Sequence, residues 1–557
     1  MKLMECVPNF SEGRDQSIID ALANAIKSVN NVVLLDVDPG ADTNRTVITM
    51  AGEPEAVLEA AFQAIKTATE LIDMRNHQGE HPRMGATDVC PFIPISDMTM
   101  EECVEYARRL GKRVGDELGI PVYLYEYAAT KEEWHNLSNI RAGEYEALPE
   151  KAKDPAWKPD FGPHTFNAKS GAIAIGAREF LIAYNINLNT RDKKKASELA
   201  AIIRESGRPA KDEKGRILKD EQGNKVIIPG LFQHCKAVGW YIESYKRAQI
   251  SINLTNYKIT PPHIVLEKVR ELASERGIVV TGSELVGLIP KTAILNAGKF
   301  YLERMGESTG LPERMIMETA IQSMGLAELA PFDLDKKVIE YAIAKKNRLS
   351  AMSLESFADL LSTATPAPGG GSVAAYCAAL SAALTAMVSN LTINKKGYES
   401  VQDKVHQLAP SAQEIKLQAL QLTDEDTDAF NAMMEASRLP KKTEEEIALR
   451  EKKLAEAMKQ VIIVPLNTME VAYQALELAD EIARIGNTNA LSDAGTAALT
   501  ALTAVKSAYY NVQINLPQIE DKTFKEEIQN KALNLLKQSE TLASQIESFV
   551  SKKLTNA

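Results

Sequence analysis

The sequence predicts a multidomain protein in which two α/β (α+β) subdomains precede an all-α helical bundle. The chain has 557 residues, which is too long for a single hydrophobic core. Up to about residue 340, short β-branched runs alternate with helical patterns, as in α/β or α+β domains. Beyond that point, long segments of Ala, Leu, Glu, Lys and Gln carry few strand signals and indicate a bundle.

The first part of the chain divides into two segments of similar size. Strands are predicted at VVLLDVD, TVITMAG, VYLY, AIAIG, FLIAYNINL, AQISINL and IVVTG, and helices at 58–72 and 264–276. FLIAYNINLNT and AQISINLTNY each read as a strand that ends in asparagine and leucine, which suggests two related subdomains. We therefore expect subdomains at 1–178 and 179–328, with a surface excursion at 206–230 that contains a hairpin around Gln222.

The second part begins after a linker at 329–345, which holds a short helix over 336–345. The helical domain is expected at 346–557. Its predicted helices are 354–361, 372–391, 401–422, 424–437, 443–462, 465–485, 493–512 and 524–552.

Composition narrows the class of protein. A net charge of −11 argues against nonspecific nucleic-acid binding, although it allows local basic surfaces for an anionic substrate. Five scattered cysteines without metal-ligand spacing fit a reducing compartment, and we expect no disulfide scaffold and no metal site. The N-terminus lacks a signal-peptide core, and the alanine-rich stretch 371–393 is weakly apolar and predicts a buried helix. A cytoplasmic protein without a membrane partner is expected.

The segment GEHPRMGATD holds the first candidate chemistry. His81 titrates near neutral pH and can carry a proton, while Glu80 or Asp88 could orient it. Arg83 presents a planar fork that suits an anionic substrate. A structural histidine beside a surface ion pair is the alternative interpretation.

A second candidate runs from DFGP to GARE. Gly171 and Gly176 bracket the AIAI run, and Arg178 precedes a strand with Asn185 and Asn187. Glycines allow a flat ligand to approach the backbone, and amides suit the edge of a heterocycle. A plain hairpin with turn glycines is equally compatible.

Two candidates lie in the helical part. Gly369, Gly370, Gly371 and Ser372 precede an alanine-rich helix, where backbone N–H groups can bind an anion or a carbonyl. In DEDTDAF, Asp426 shares a helical face with Phe430, and burial there would raise its pKa for acid/base work. A linker with a capped helix, and acids that stabilise a helix start, are the alternatives.

Taken together, these segments closely resemble the formiminotransferase-cyclodeaminase family. The resemblance spans nearly the whole chain through ECVPNFSEG, DVDPGADTNRTV, GEHPRMGATDVCPFIP, IRAGEYEALP, DFGP, GAREFLIAYNINL, SELVGLIP, PAPGGGSVAA, DEDTDAF and YYNVQINL, in that order. It implies that the transferase moves the formimino group of N-formimino-L-glutamate onto tetrahydrofolate. The cyclodeaminase then closes 5-formimino-tetrahydrofolate to 5,10-methenyl-tetrahydrofolate with loss of ammonia, as a step of histidine degradation.

The resemblance also assigns residues. It makes His81 the catalytic histidine and Asp426 the cyclodeaminase acid, and it maps the folate segment onto Phe161 to Gly171, which includes Gly162, Pro163 and His164. His164 departs from the small residue that the family tends to have there. Tetrahydrofolate, with or without a polyglutamate tail, is the expected co-substrate, and no metal or redox cofactor is expected.

Alternatives and partners remain open at this point. The transferase alone could be active, with the helical domain a methenyl-tetrahydrofolate cyclohydrolase or an assembly module. The small-residue helices favour self-association, so we expect a homo-oligomer built through the helical domain. The partners would otherwise be small molecules.

Overall fold

The computed structural model describes residues 2–40, 44–79, 82–243, 245–343 and 348–555. The chain divides into two compact units. The first comprises Met1–Ala297 and Ile321–Ala344, and the second comprises Gly298–Ala320 and Lys345–Ala557.

The first unit mixes strands and helices, as the sequence predicts. Its strands are β1 Leu3–Cys6, β2 Asn9–Phe10, β3 Val32–Gly40, β4 Arg45–Gly52, β5 Thr87–Ser96, β6 Val122–Glu126, β7 Ile173–Ala177, β8 Ile182–Leu188, β9 Arg208–Pro209, β10 Ile227–Ile228, β11 Cys235–Ile242, β12 Arg247–Leu254 and β13 Val280–Val286. Its helices are α1 Gln16–Lys27, α2 Pro54–Leu71, α3 Met100–Leu118, α4 Leu137–Ile140, α5 Leu148–Lys151, α6 Lys193–Ile203 and α7 Pro262–Ser274. Helices α8 Lys291–Met305 and α9 Glu313–Met324 run from one unit into the other, and the short α10 Leu334–Lys337 and α11 Ile339–Ile343 follow.

A seven-stranded sheet organises the N-terminal part of this unit. β7 lies between β5 and β6 and is parallel to both, whereas β1 and β2 pair antiparallel with β5 and β4, and β3 pairs with β4. Helices α1, α2 and α3 cover one face of the sheet and enclose an apolar core that includes Phe10, Ile65 and Phe92. Side chains that alternate with these, such as Tyr123 and Tyr125, belong to a second apolar cluster with Trp134, Ile140 and Leu148.

The second sheet is antiparallel, in the order β11–β12–β8–β13. Tyr184, Ile186 and Leu188 of β8 are buried on one face of it, and α6 packs against β11 and β12. Alternate residues such as Asn185 and Asn187 point to the other face. The smaller sheet thus carries α6 on one of its faces.

Strand β5 corrects one prediction. The strands predicted from the sequence include none within 77–94, but residues 87–96 form a strand at the centre of the larger sheet. Prolines normally argue against a central strand, and β5 contains Pro91 and Pro94. Each proline forfeits only one donor, and the carbonyl of Pro91 still accepts from the backbone N–H of Val7 at 3.3 Å. Pairing with the neighbouring strands therefore outweighs the unfavourable effect of the prolines on strand formation.

The predicted excursion at 206–230 is confirmed as a set of turns on the surface. Asp220 N donates to Asn224 O at 2.9 Å, and Gly223 adopts φ +86° in the predicted hairpin. The turn around Gly215 repeats this geometry, since Asp212 N donates to Arg216 O at 2.9 Å. The sequence KDEKGR/KDEQGN thus encodes two similar turns in a row.

The second unit is helical, as predicted. Its helices are α12 Leu354–Leu361, α13 Gly370–Asn390, α14 Gln402–Ser437, α15 Glu444–Ile485, α16 Leu491–Asn515 and α17 Lys522–Thr555. The predicted breaks near Thr423 and Pro465 are wrong, because α14 and α15 run through them. The Thr423 hydroxyl donates to Ala419 O at 3.0 Å inside the helix. Pro465 is buried in α15, where the packing of the helix outweighs one lost hydrogen bond.

Helix α13 lies at the centre of this unit. Among the described residues it is the helix whose length and apolar character would allow a membrane span, with a mean hydropathy of 1.6 over an 18-residue window. However, 61% of that window is buried, and α13 packs against α14, α15 and α16. Alanines 374, 378, 379 and 382 give those helices close approach.

Candidate active sites

A large cavity opens between the two sheets of the first unit. Its volume is about 930 Å³. One wall comes from the larger sheet and its loops, through Asn9, Arg45, Pro91 and Tyr125, and the facing wall includes Lys236 and Asn253 of the smaller sheet. Three guanidinium groups line it, those of Arg45, Arg141 and Arg178. Glu126, Glu144 and Glu179 line it as well. A cavity of this size with guanidinium donors on its wall suits an organic anion.

The predicted catalytic histidine belongs to this region of the chain but lies outside the described residues, as does Glu80. Pro82, the residue after His81, lines the cavity. The assignment of His81 therefore remains a prediction, supported by the position of the residue that follows it.

Arg83 is held within the protein. Its Nη2 donates to Glu146 Oε1 at 2.7 Å, its Nη1 donates to Glu144 Oε2 at 3.1 Å, and its Nε donates to His77 Nδ1 at 3.2 Å. Hydrogen bonding to Glu146 and the charge of both glutamates outweigh burial and raise the pKa of Arg83. Arg83 borders an open pocket of about 410 Å³ beside Gln78 and Gly79, and its fork is already engaged by carboxylates.

Arg178 directly follows β7, ahead of the strand with Asn185 and Asn187 as the sequence pattern predicts, and lines the cavity. It faces two glutamates whose pKa values burial raises: Glu126, and Glu5, whose pKa rises to about 7. In both cases the cation of Arg178 opposes the effect of burial. The structure thus brings Arg178 together with the cavity, as a substrate-binding role requires.

The predicted folate segment 161–171 folds against α3 and β6. Phe161 packs on the larger apolar core, and its backbone exchanges hydrogen bonds with Val122. Gly162 and Gly171 adopt φ values of +80° and +69°, which explains why glycine stands at both positions. Pro163 and His164 border a separate small cavity with Tyr123, and the buried His164 Nε2 has no hydrogen-bond partner among the described residues.

Gly176, Asn185 and Asn187 are placed elsewhere. A Cβ on Gly176 would lie 2.5 Å from Tyr125 Cδ1, so this glycine allows β6 and β7 to pack. Asn185 Nδ2 donates to Glu284 Oε2 at 3.2 Å, and Asn187 Nδ2 donates to Glu328 Oε2 at 2.6 Å. The structure does not bring these three residues to the described walls of the cavity.

Sequence reasoning missed Arg45 and Arg141 as site residues. Both lie in segments that carry the family resemblance, DTNRTV and IRAGEYEALP, so the motifs contained the signal. Asp88, considered above as a partner for His81, pairs with Arg141 and accepts from Met84 N at 3.0 Å. These interactions give the cavity wall a fixed, charged framework.

The second site is built around Asp426 in α14. Ser372 Oγ donates to Asp426 Oδ2 at 3.0 Å and lies 3.2 Å from Thr427 Oγ1. A Cβ on Gly371 would lie 2.5 Å from Asp426 Cγ, so the carboxyl group rests on the backbone of α13. Asp424 is engaged elsewhere, because Ser350 Oγ donates to its Oδ2 at 2.6 Å. The predicted glycine-serine segment and the predicted acid therefore meet.

Burial determines the protonation of Asp426. Hydrogen bonds from Ser372 stabilise the carboxylate, as does the first turn of a helix in general. Removal from water favours the neutral acid and prevails, so the pKa of Asp426 is raised. A carboxyl group whose pKa is raised in this way is suited to give a proton to a leaving nitrogen.

The rest of the glycine segment forms the floor of this site. Gly369 precedes α13 in an extended conformation, and a Cβ there would meet nothing within 4 Å among the described residues. A Cβ on Gly370 would lie 3.5 Å from Asn511 Nδ2, in the YYNVQINL segment. Among the described residues no cluster of three His, Cys, Asp or Glu side chains could hold a metal ion.

These two sites, in an α/β unit and a helical unit, define a class of two-centre enzyme whose parts match three family profiles. "Formiminotransferase domain, N-terminal subdomain" matches residues 3–178, "Formiminotransferase domain" matches 183–344, and "Formiminotransferase-cyclodeaminase" matches 353–534. The chain belongs to the formiminotransferase-cyclodeaminase family.

Individual relatives support this family assignment. The chain is 44% identical over 546 residues to the formimidoyltransferase-cyclodeaminase of Mus musculus, covering 98% of each chain. It is 45% identical over 312 residues to the glutamate formimidoyltransferase of Thermoplasma acidophilum, covering 56% of this chain and 95% of that protein. It is also 38% identical over 202 residues to a methenyltetrahydrofolate cyclohydrolase of Methylorubrum extorquens, covering 36% of this chain and 97% of that protein.

Proposed function

We propose that this chain is a bifunctional folate one-carbon enzyme. Its α/β unit transfers the formimino group of N-formimino-L-glutamate to N5 of tetrahydrofolate and releases glutamate. Its helical unit closes 5-formimino-tetrahydrofolate to 5,10-methenyl-tetrahydrofolate and releases ammonia. The observation that carries this proposal is the full-length match to formimidoyltransferase-cyclodeaminases, at 98% of both chains.

The transfer step takes place in the cavity between the sheets. N5 attacks the formimino carbon, and the carbon–nitrogen bond to glutamate then breaks. His81 removes the proton from N5 and returns a proton to the departing amine, which a group that titrates near neutral pH can do in both directions. Arg178 lies on the cavity wall and supplies positive charge for the two anionic substrates.

The cyclisation step takes place at Asp426. N10 attacks the same one-carbon unit, and the former imino nitrogen leaves as ammonia. The neutral form of Asp426, favoured by its burial, donates the proton that this leaving group needs. Gly370, Gly371 and Ser372 present backbone N–H groups in the first turn of α13, where they can bind a polar group of the folate.

The folate segment remains part of this proposal. Phe161 to Gly171 lies beside the transferase sheet, and its glycines keep the backbone exposed to close approach. We assign tetrahydrofolate as a co-substrate rather than a resident cofactor. The division into a transferase (1–328) and a helical cyclodeaminase (346–557) belongs to the same proposal.

Two variants separate the two steps. His81→Ala removes the proton carrier of transfer, so glutamate release from formiminoglutamate and tetrahydrofolate falls by about 10²-fold or more. This variant still releases ammonia from added 5-formimino-tetrahydrofolate. Asp426→Asn does the reverse: glutamate is released, but ammonia is not. If either variant retains both rates, the corresponding residue assignment is wrong.

A second candidate concerns the helical unit alone. The 38% identity to a methenyltetrahydrofolate cyclohydrolase favours hydrolysis of the methenyl compound as its reaction. Under this alternative, added 5,10-methenyl-tetrahydrofolate loses its absorbance in the presence of the protein, and Asp426→Asn abolishes that loss. Persistent absorbance, together with ammonia release from the 5-formimino compound, supports the cyclodeaminase instead.

The cellular setting is also proposed. We assign the enzyme to histidine degradation, as the family resemblance implies, and to the cytoplasm, which the free thiols of the described cysteines support. Feeding labelled histidine to cells that lack the protein tests the pathway, because formiminoglutamate then accumulates. Unchanged formiminoglutamate would contradict this assignment.

Self-association through the helical unit completes the proposal. Leu380, Met387 and Leu391 lie on one side of α13 and are 40%, 37% and 50% exposed, although this central helix is otherwise buried. An apolar stripe of this kind is typical of an interface with a second copy. Light scattering on the wild type and on Met387→Glu tests it, because the charge would dissociate such an oligomer. A wild-type monomer would contradict it.

A further inference from the structure

Two arginines lie together on the wall of the large cavity. Arg45 begins β4, and Arg141 follows the short helix α4. Both line the cavity of about 930 Å³, as does Pro82, the neighbour of His81 in the chain. The two guanidinium groups therefore face the space in which the transfer step takes place.

A buried carboxylate, that of Asp88, lies beside this pair. Asp88 is 1% exposed, accepts from Arg141 Nη2, and accepts from the backbone N–H of Met84 at 3.0 Å. The Arg45 guanidinium donates to the amide oxygen of Asn9. Glu144, which also lines the cavity, binds Arg83.

The cavity carries both signs of charge, since Glu126, Glu144 and Glu179 line it together with the arginines. Burial, with a smaller effect of the Arg141 cation, lowers the pKa of Arg45 to about 10, and Asp88 only partly offsets this. Arg141 Nε is buried and has no hydrogen-bond partner within the described part of the chain. A buried charge with an unused donor is costly unless a ligand satisfies it.

We infer that Arg45 and Arg141 bind the α-carboxylate of N-formimino-L-glutamate, an inference that rests on the proposed transferase function. The α-carboxyl carbon is two bonds from the nitrogen that leaves, so a carboxylate held here keeps the reacting carbon next to the Pro82 side of the cavity. Guanidinium groups suit this task because their planar fork matches a carboxylate. The pair binds and orients the substrate and exchanges no proton.

The first experiment separates the two substrates. Arg141→Met removes the charge and keeps the length of the side chain. We expect the KM for formiminoglutamate to rise about 30-fold, as loss of a charged hydrogen bond implies, while the KM for tetrahydrofolate changes by less than about 2-fold. Arg141→Lys, which keeps the charge without the fork, should fall between. Arg109→Met, which removes an exposed partner of Glu55, serves as the control and leaves both values unchanged.

The second experiment changes the substrate instead of the protein. N-formimino-4-aminobutyrate lacks the α-carboxylate and keeps the distal one. In the wild type its kcat/KM should fall about as far as that of formiminoglutamate falls in Arg141→Met. The kcat/KM of Arg141→Met with N-formimino-4-aminobutyrate should be only slightly lower than after either change alone, because each change removes the same interaction. This comparison stands even where loss of Arg141 weakens folding by leaving Asp88 without its partner.

The third experiment does not depend on turnover. Calorimetry should detect L-glutamate binding to the wild type and to Arg109→Met, and a loss of about 10-fold or more in affinity in Arg141→Met. If the wild type fails to turn over formiminoglutamate, the proposed function fails, while this measurement still decides whether the pair binds a carboxylate. The inference is overturned if L-glutamate binding is equal in all three proteins. It is also overturned if only the KM for tetrahydrofolate rises, or if Arg141→Met loses further activity on N-formimino-4-aminobutyrate.

Discussion

At the scale of single residues, the clearest feature is the contact between Gly371 and Asp426. The carboxyl group occupies the space that a Cβ on residue 371 would fill, and Ser372 Oγ fixes its Oδ2 at 3.0 Å. The position of the acid is therefore set by the absence of a side chain on the neighbouring helix. This dependence gives the glycine a role that its helix propensity alone would not predict.

Gly371→Ala should consequently disable cyclisation while transfer continues. The new methyl group would overlap Asp426 Oδ1 and displace the carboxyl group, and we expect ammonia release to fall by about 10²-fold, as misplacement of an acid by about 1 Å implies. Gly370→Ala meets Asn511 Nδ2 at an ordinary 3.5 Å and should cost much less. The rate of ammonia release from 5-formimino-tetrahydrofolate is measured for both variants. Equal rates in the two variants would contradict this account of the site.

Glu5 offers a prediction about stability and pH. It is 3% exposed in β1, and burial raises its pKa from 4.5 to about 7, with Arg178 opposing and Glu340 adding to the shift. The folded state therefore keeps a proton that the unfolded chain releases near 4.5. Stabilisation by this group is complete below about pH 4.5 and is lost as the pH rises to about 7, by on the order of 3 kcal/mol.

Glu5→Gln should remove this pH dependence. Relative to the wild type, the variant should become more stable as the pH rises from 5 to 8, with little further change above that. All three tryptophans lie in the α/β unit, so their fluorescence during urea unfolding follows this unit alone. Glu105→Gln, an exposed change on α3, is the control. A difference between variant and wild type that does not vary with pH would refute the assignment.

At the scale of elements, α3 positions the folate segment through two glycines. Gly111 lies against the Phe161 ring, where a Cβ would be 3.0 Å from Cδ2. Gly115 lies against Gly162, where a Cβ would be 2.9 Å from Cα. Two small residues one helical turn apart thus let a loop lie directly on the helix.

Gly115→Ala tests whether that loop binds folate. The change should gain about 1 kcal/mol of helix propensity but cost about 1–3 kcal/mol of overpacking, and the overpacking should prevail because the obstacle is backbone. With Phe161 and Gly162 displaced, we expect the KM for tetrahydrofolate to rise several-fold while the KM for formiminoglutamate stays constant. Glu105→Ala on the same helix is the control. An unchanged KM for tetrahydrofolate would place the folate elsewhere.

At the scale of the whole molecule, the boundaries of the family domains differ from those of the compact units. Residues 298–320 fall inside the family range 183–344, yet they cluster with the helical unit. Asn390 Nδ2 donates to Gly310 O at 2.9 Å, and Ser308 Oγ donates to Asn390 Oδ1 at 2.6 Å. The helical unit is therefore completed by a segment that residues 321–344 separate from the rest of it in the chain.

Gly310→Ala should loosen this segment. A Cβ there would lie 2.5 Å from the carbonyl carbon of Ala409 in α14, and the clash should cost about 1–3 kcal/mol. Hydrogen exchange should then increase across 402–415, whereas Glu307→Ala, an exposed change, leaves it unaltered. Equal protection in the two variants would mean that the contact contributes nothing to the helical unit.

The sequence predicts most of this architecture, and its failures have physical causes. Periodicity finds the strands β3, β4 and β8 and the bundle, but it cannot reveal that β5 tolerates Pro91, because only neighbouring strands supply the compensating hydrogen bonds. The approach of Asp426 to Gly371 joins residues 55 positions apart and follows from the packing of α13 on α14. Arg45 and Arg141 resemble surface arginines until the fold buries them beside Asp88.

One chain is proposed to perform both reactions in sequence. Mixing the wild-type protein with formiminoglutamate and tetrahydrofolate, while glutamate, ammonia and the absorbance of methenyl-tetrahydrofolate are followed, tests this proposal. We expect equal molar amounts of all three products. Glutamate without ammonia would limit the chain to transfer, and the absence of glutamate would refute both activities.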